Sequence, residues 1–93
     1  MITAIVNVNC AVDRIPEVAQ AIAELDGVSE VYSVAGDVDL VAMVRVRRHE
    51  DLHDVIAGRL NKIEGVQATQ TLIAFQAYSK HDLEATFSIG LEE

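Results

Sequence analysis

The sequence is poor in cysteine and in basic residues, and it contains no long apolar run. Its 93 residues include one cysteine, Cys10, so no disulfide can form within the chain. Seven Lys and Arg stand against fifteen Asp and Glu, which argues against a nucleic-acid contact surface because such a surface needs a basic face. No apolar stretch approaches the roughly 20 residues that span a bilayer, and no secretion signal is evident. We therefore expect a cytoplasmic protein that contacts neither nucleic acid nor a membrane.

The length of the chain allows one domain with one core of modest size. We expect this domain to occupy residues 1–93, with its core in residues 1–78. Residues 79–93 have a polar start followed by four large apolar residues, a composition that favours packing over disorder. We expect this C-terminal arm to pack on its own subunit or on a neighbouring one.

Segments with the apolar spacing of a β-strand alternate along the chain with segments that have the apolar spacing of a helix. Residues 1–10 alternate between apolar and polar positions, as in a β-strand, whereas from Asp13 the apolar residues fall on one side of a helix. Asp13 is a plausible N-cap, Pro16 fits the first helical turn, and Gly27 is suited to the end of the helix. The same reasoning along the chain predicts helix 13–27, strands 28–35 and 38–47, helix 49–63 and strand 66–78.

The two predicted helices end in the same way. Leu25-Asp26-Gly27-Val28 and Ile63-Glu64-Gly65-Val66 share an apolar-acidic-Gly-Val order at a helix-to-strand junction. The sequence therefore contains the strand-helix-strand pattern twice, which predicts the ferredoxin-like β-α-β-β-α-β arrangement in the α+β class. This arrangement is a four-stranded antiparallel sheet with two helices on one face.

The predicted sheet carries apolar residues on both faces. Val41 and Met43 oppose the other apolar residues of the third strand, and in the fourth strand Leu72 and Ala74 oppose Ile73 and Phe75. Since two helices cover only one face, the other face would expose a larger apolar patch than monomers usually tolerate. We therefore expect at least a dimer, formed sheet-to-sheet or edge-to-edge as a dimeric α+β sandwich or barrel.

A β-hairpin signal lies between the second and third strands. Gly36-Asp37 suits a two-residue primed turn, since glycine takes positive φ freely and aspartate tolerates it. Asp39 lies within the apolar run that follows, where a carboxylate is costly unless it is exposed or paired. Asp39 is thus either an exposed residue that guards a sheet edge or a carboxylate that meets a cationic ligand group.

One motif points towards metal chemistry. His49-Glu50-Asp51-Leu52-His53 matches H-E-x-x-H, the zinc-hydrolase pattern. The motif falls at the first turn of a short helix, where acidic residues are common for dipole reasons. A third ligand is hard to name, because Glu64 would lie near the far end of the same helix. Adventitious metal binding or a merely charged helix start are the other interpretations, and we predict no resident metal or cofactor.

Several of these features together resemble a known family. The Gly-Val junction after each helix, the Gly36-x-x-Asp39 turn and the Thr69-x-Thr71 pattern are similar to the effector-binding domain of the Lrp/AsnC regulators, also called the RAM domain. The resemblance covers essentially residues 1–78. It implies a β-sandwich homodimer, assembly of dimers into octamer-like rings, and a small effector, usually an amino acid, bound where dimers meet. The implied effector-binding residues are Gly36, Asp37, Val38, Asp39, Leu40, Thr69 and Thr71.

Two features depart from the family pattern. Full-length regulators carry an N-terminal helix-turn-helix, whereas this chain starts with the first strand, so we expect a stand-alone effector domain without a DNA reader. The position before the turn aspartate is usually aromatic in the family and is Val38 here, which bears on the side-chain specificity of the ligand. A full-length Lrp/AsnC regulator is one candidate partner for co-assembly.

The residues are chemically suited to an amino acid. Asp37 or Asp39 could pair with the ammonium group, while backbone N–H groups around Gly36 and the hydroxyls of Thr69 or Thr71 could bind the carboxylate. The alternative for the two threonines is ordinary strand surface. We therefore predict a non-catalytic amino-acid-sensing and oligomerisation module. An ACT-like amino-acid-binding module, a small dimeric α+β-barrel enzyme and a structural assembly module are the alternatives.

Overall fold

The structure is a computed structural model that describes residues 1–80. Four strands form one antiparallel sheet in the order β2-β3-β1-β4, and two helices connect them. Short 3₁₀ turns precede the first helix and the last strand. The elements are β1 (Ile2–Cys10), α1 (Ile15–Ala23), β2 (Val28–Ser33), β3 (Leu40–Val46), α2 (His49–Ile56) and β4 (Val66–Ala74). The predicted ferredoxin-like arrangement is confirmed.

The core lies between the sheet and the two helices. Alternate residues of the central strands point towards the helices and are fully or almost fully buried, as their period-two pattern predicts. The helices contribute the apolar stripes that their sequence spacing indicates. The buried core residues are Ala4, Val6, Val8 and Cys10 of β1, Leu40, Ala42, Val44 and Val46 of β3, and Val18, Ile22, Leu52, Val55, Ile56 and Leu60 of the helical layer.

The opposite side of the sheet, here called the open face, is covered by no helix among residues 1–80. At its centre Ile5 pairs with Met43 on one side and with Leu72 on the other. Tyr32, on the edge strand β2, is 50% exposed, and Leu72, on the edge strand β4, is 45% exposed. The sheet therefore carries apolar residues on both faces, as the alternation in β3 and β4 predicts, and Thr3 and Asn7 of β1 lie beside them on the open face.

The strands are shorter than the sequence pattern predicts. β2 ends at Ser33 rather than at residue 35, and β3 runs from Leu40 to Val46 rather than from 38 to 47. β4 ends at Ala74 rather than at residue 78, since Ala74 already pairs with Thr3 near the start of β1. Beyond that point only Ile2 and Met1 precede Thr3 in the chain, too few to pair with all of residues 75–78.

The helices also differ from the prediction at their ends. α1 begins at Ile15, and the residue before it is Arg14, so the expectation that Asp13 caps the helix is wrong; Asp13 lies in the preceding 3₁₀ turn. α1 ends at Ala23, before Gly27. α2 ends at Ile56 instead of residue 63, and a turn that contains Gly58 follows. Glycine is a poor residue for a helix interior, so the chain turns there and continues as the 3₁₀ turn Leu60–Lys62.

Among residues 1–80, no helix combines the length and the hydropathy that crossing a membrane requires. The predicted C-terminal arm, residues 79–93, lies outside the described residues except for its first two positions.

Replacing Gly65 with alanine should destabilise the fold. Gly65 has φ +102°, and an added Cβ would lie 2.9 Å from Val18 Cγ2. The left-handed backbone costs about 1–2 kcal/mol for a residue with a Cβ, and the overlap adds about 1–3 kcal/mol. Gly36 is the matched control, because its φ is +142° but its Cβ would meet nothing within 4 Å. Denaturant unfolding should show a larger loss for Gly65→Ala than for Gly36→Ala; equal losses would contradict the packing argument.

Candidate functional site

The loop between β2 and β3 is longer than a two-residue turn. It spans residues 34–39 and is closed by a hydrogen bond from the Val34 N–H to the Asp39 carbonyl at 3.1 Å. Gly36 has positive φ, whereas no non-glycine residue among the described residues does. The prediction of a primed turn at Gly36-Asp37 is therefore wrong. Residues 34–37 are exposed, and Val38 and Asp39 are half-buried as the chain returns to the sheet.

Asp39 ties this loop to the end of β1. Its carboxylate oxygen Oδ2 accepts a hydrogen bond from the Cys10 backbone N–H at 3.0 Å. Its own N–H donates to the Val8 carbonyl, also at 3.0 Å. Asp39 is thus half-buried and bonded to β1 rather than a free residue that guards a sheet edge, and its predicted contact with a cationic ligand group stays a prediction. It forms the last contacts between β1 and the strand that follows the loop.

The same contact influences the thiol of Cys10. Burial raises the pKa of the Cys10 thiol, and the negative charge of Asp39 raises this pKa further. Cys10 is 2% exposed, and both effects keep the sulfur in its protonated, unreactive form. This cysteine is a core residue, as the sequence indicates.

The two threonines of the predicted site lie on β4 and point to the helix side of the sheet. Thr69 pairs with Val8 and Thr71 with Val6, so both share the face of the buried β1 residues. The Thr69 hydroxyl Oγ1 donates to Asn61 Oδ1 at 2.9 Å. Thr71, on the exposed edge of the sheet, has an accessible side chain.

The structure brings part of the predicted site to one end of the sheet. Leu40 and Thr69 both pair with Val8, from opposite sides of β1. With strands about 4.8 Å apart, their Cα atoms are separated by about 10 Å. The loop tip at Gly36 and Asp37 lies beyond this row, and β1 stands between the loop and Thr71. Within one chain these residues form no single closed pocket around a small ligand, and their role stays a prediction.

The H-E-x-x-H motif occupies the start of α2. His49 is the first residue of the helix, and both His49 and His53 are exposed. In the part of the chain that the structure describes, no group of three His, Cys, Asp or Glu side chains is placed to hold a metal ion.

Several surface cavities flank the sheet. One of about 280 Å³ lies at the end opposite the loop, between Gly27, Val46 and Val55, and is rimmed by charged side chains. A smaller one, of about 190 Å³, lies beside Thr69 and Asn61. A third, of about 510 Å³, lies on the open face, where Ile5 and Met43 contribute to its wall.

Sequence reasoning missed two groups that shape this region. Asn61, in the 3₁₀ turn before β4, accepts a hydrogen bond from the Thr69 hydroxyl. The Cys10 N–H donates a hydrogen bond to the Asp39 carboxylate. A side-chain contact between positions that lie far apart in sequence leaves no periodic signal. The cost of an acidic residue inside an apolar run was the one available hint that Asp39 has a partner.

Comparisons with known proteins agree with this architecture. Residues 3–83 match the family model of the Lrp/AsnC ligand binding domain. Over 59 residues the chain is 41% identical to an uncharacterized HTH-type transcriptional regulator of Pyrococcus horikoshii, covering 63% of this chain and 39% of that protein. The crystal structure of TTHA0845 from Thermus thermophilus matches with a TM-score of 0.81 and 48% identity, covering 86% of this chain and 100% of that one.

A further solved structure carries a ligand. The transcriptional regulator NMB0573 from Neisseria meningitidis, in complex with L-Met, has a TM-score of 0.75 and 16% identity, over 84% of this chain and 52% of that one. At this identity the likeness is one of fold. The match to the Pyrococcus regulator covers about two fifths of its length.

Removing the Asp39 carboxylate should destabilise the fold. Asp39→Ala leaves the partly buried Cys10 N–H without its acceptor, at a cost of about 1–3 kcal/mol. The matched control is Asp37→Ala, since Asp37 is exposed at the loop tip, where substitutions change stability by about 0.5 kcal/mol or less. Denaturant unfolding of both variants measures the difference, and an Asp39→Ala variant as stable as Asp37→Ala would contradict the anchoring role.

The raised pKa of Cys10 predicts the sign of a pH effect. The unfolded chain releases the thiol proton at the ordinary pKa of about 9, before the folded chain does. The free energy of unfolding should therefore fall as pH rises above that value, a loss that Cys10→Ala should lessen.

A thiol reagent should react slowly with Cys10 in the folded protein and fast in denaturant. Asp39→Asn should speed the reaction of the folded protein less than denaturation does, because burial is the larger cause.

Proposed function

Since this chain belongs to the family of Lrp/AsnC ligand binding domains and is an effector-binding regulatory module, we propose that its effector is a free amino acid. We propose that it binds at the loop of residues 34–39 and changes the assembly of subunits. The observation that carries this proposal is that the two loop carboxylates differ in their contacts and in their exposure. Asp39 is held by β1, whereas Asp37 is exposed at the loop tip.

The exposed carboxylate suits the ammonium group of an amino acid. Asp37 extends from the tip of a loop whose base is fixed by Asp39 on one side and by Val34 on the other. A charge-assisted hydrogen bond to a positioned carboxylate is roughly twice as strong as one between neutral groups. The net charge of −8 also favours a cationic group over an anionic one at this surface.

The carboxylate of the effector needs donors, and the loop provides them. Among the described residues, the N–H groups of Ala35, Gly36 and Asp37 make no backbone hydrogen bond, and with no Cβ at Gly36 a ligand can come close to the backbone. The exposed hydroxyl of Thr71 is a further donor. Because β1 separates Thr71 from the loop of its own chain, we propose that the threonine of a second subunit completes the site.

The open face supports the oligomeric part of the proposal. Ile5, Val41, Met43 and Leu72 form a continuous apolar surface across three strands. Burying several hundred Å² of such surface at roughly 25 cal/mol per Å² contributes on the order of 10 kcal/mol before the costs of association. A dimer that pairs two open faces removes this surface from water, and the loops at the sheet ends stay available to further dimers.

Two of the comparisons support this role. The Neisseria regulator that shares the fold was solved with L-Met, an amino acid whose ammonium and carboxylate are common to every candidate effector. TTHA0845, at 48% identity, is matched over its entire chain and over 86% of this one, so the two chains share the fold over nearly their whole lengths. We propose that the module is non-catalytic and acts through its assembly state.

The experiment is a titration of the purified protein with each of the twenty amino acids. Light scattering coupled to size exclusion reports the mass, and thermal unfolding reports binding. We expect one or a few amino acids to shift the mass or the melting temperature. Asp37→Asn, which removes the charge but keeps the shape, should weaken that response roughly tenfold or more, as expected for a lost charged hydrogen bond.

The matched control is Asp26→Asn, an exposed aspartate at the opposite end of the sheet. It should leave the response unchanged. An Asp37→Asn variant that responds as the parent does would show that the ammonium group of the effector does not bind at the loop. An assembly that is indifferent to all twenty amino acids would overturn the amino-acid proposal itself.

A further inference from the structure

Large apolar residues are exposed at the end of β4 and in the segment that follows it. Leu72 and Ile73, near the end of β4, are each 45% exposed. In residues 75–78, here called the β4 extension, Phe75 is 99% and Tyr78 78% exposed. Single exposed apolar residues are ordinary, but a run of four on an extended edge segment marks a contact surface.

A cavity lies directly beside this segment. It has a volume of about 510 Å³ and is open to the open face of the sheet. One wall is formed by the sheet and the other by the start of the β4 extension itself. The sheet wall consists of Met1, Thr3, Ile5, Met43 and Arg45.

We propose that the β4 extension is exchanged between two copies of this chain, each placing its Phe75 ring in the open-face cavity of the other. The inference rests on the open-face dimer of the proposed function and specifies how that dimer is locked. A two-fold symmetric interface requires that the contact of residue i with j be repeated as j with i. The β4 extension begins at the rim of its own cavity, so an axis passing close to residue 75 sets each extension over the cavity of the partner.

The chemistry of the cavity suits an aromatic ring. Ile5 and Met43 supply apolar contacts, and methionine sulfur packs favourably against aromatic edges. The Arg45 guanidinium stands at the same wall, where it can lie over a ring face; it is ion-paired to Glu30 at 3.6 Å and hydrogen-bonded to Ser29 Oγ. The cavity is thus apolar at its base and carries one fixed cation.

The size of the contact also points to a second copy. A buried aromatic side chain removes about 150–250 Å² from water, so the one ring that each copy inserts contributes about a fifth to a third of the roughly 800 Å² per partner that a stable interface buries. Phe75 lines its own cavity and yet is 99% exposed, so the cavity of its own chain does not enclose it. A reciprocal arrangement encloses both rings.

The sequence offers a clean optical test, because it contains no tryptophan. Phe75→Trp therefore introduces a single fluorophore at the exchanged position. It is mixed with a second chain that carries a nitroxide spin label on Thr3→Cys, a residue of the sheet wall of the cavity. Cys10 is buried and stays unlabelled. Val12→Cys, 84% exposed in the turn before α1, is the control position for the label.

The exchange predicts that the emission of the introduced tryptophan is shifted to shorter wavelength and is quenched by chains labelled at residue 3. Chains labelled at residue 12 should not quench it. In addition, Phe75→Ala should weaken the dimer roughly tenfold or more, as expected for an aromatic anchor, whereas Val12→Ala should not. A dimer in which the fluorophore is quenched by neither label overturns the exchange and leaves the oligomerisation proposal standing. A chain that is monomeric at all concentrations overturns both.

Discussion

The structure depends on one imbalance, which is that a sheet with two apolar faces has described helices on only one of them. β3 shows this most directly. Leu40, Ala42 and Val44 are fully buried under the helices, while Val41 and Met43, between them in sequence, point to the open face. A strand with a solvated face normally alternates with polar residues. The second apolar set is the observation that the proposed open-face dimer accounts for, because a second copy would cover it.

Asp39 connects this sheet to the candidate effector loop. Its carboxylate and its N–H both bond to the end of β1, at Cys10 and Val8. The loop that carries Asp37 is therefore anchored on the central strand, which contributes to the core on one face and to the open face on the other. Under the proposed function, a ligand that displaces the loop acts on β1 through these two hydrogen bonds. They are then a short physical connection between the proposed ligand-binding loop and the proposed assembly surface.

The topology and the core follow from the order of hydrophobic periods, whereas the location of the candidate site rests on the family resemblance and stays a prediction. The ends of the elements depend on neighbours instead: β4 stops at Ala74, opposite Thr3 near the start of β1, which no local pattern in β4 reveals. The early end of α2 had a local signal in Gly58, which the longer apolar period obscured. The division between an anchoring Asp39 and an exposed Asp37 rests on a hydrogen bond to a residue 29 positions away in sequence, whereas propensity and periodicity describe only neighbours. The position of β1 between the loop and Thr71 likewise follows from the strand order and not from either segment alone.

These contacts determine how the proposed effector could change the assembly of subunits. A ligand shifts an equilibrium between assemblies only by the difference in its affinity for the two states. A site contained within one chain is present in every assembly state, so it shifts assembly only where its affinity differs between those states. A site divided between the loop of one subunit and β4 of another, as we propose, is complete only when the subunits meet. Under that proposal, the placement of β1 between the loop and Thr71 couples ligand binding to assembly.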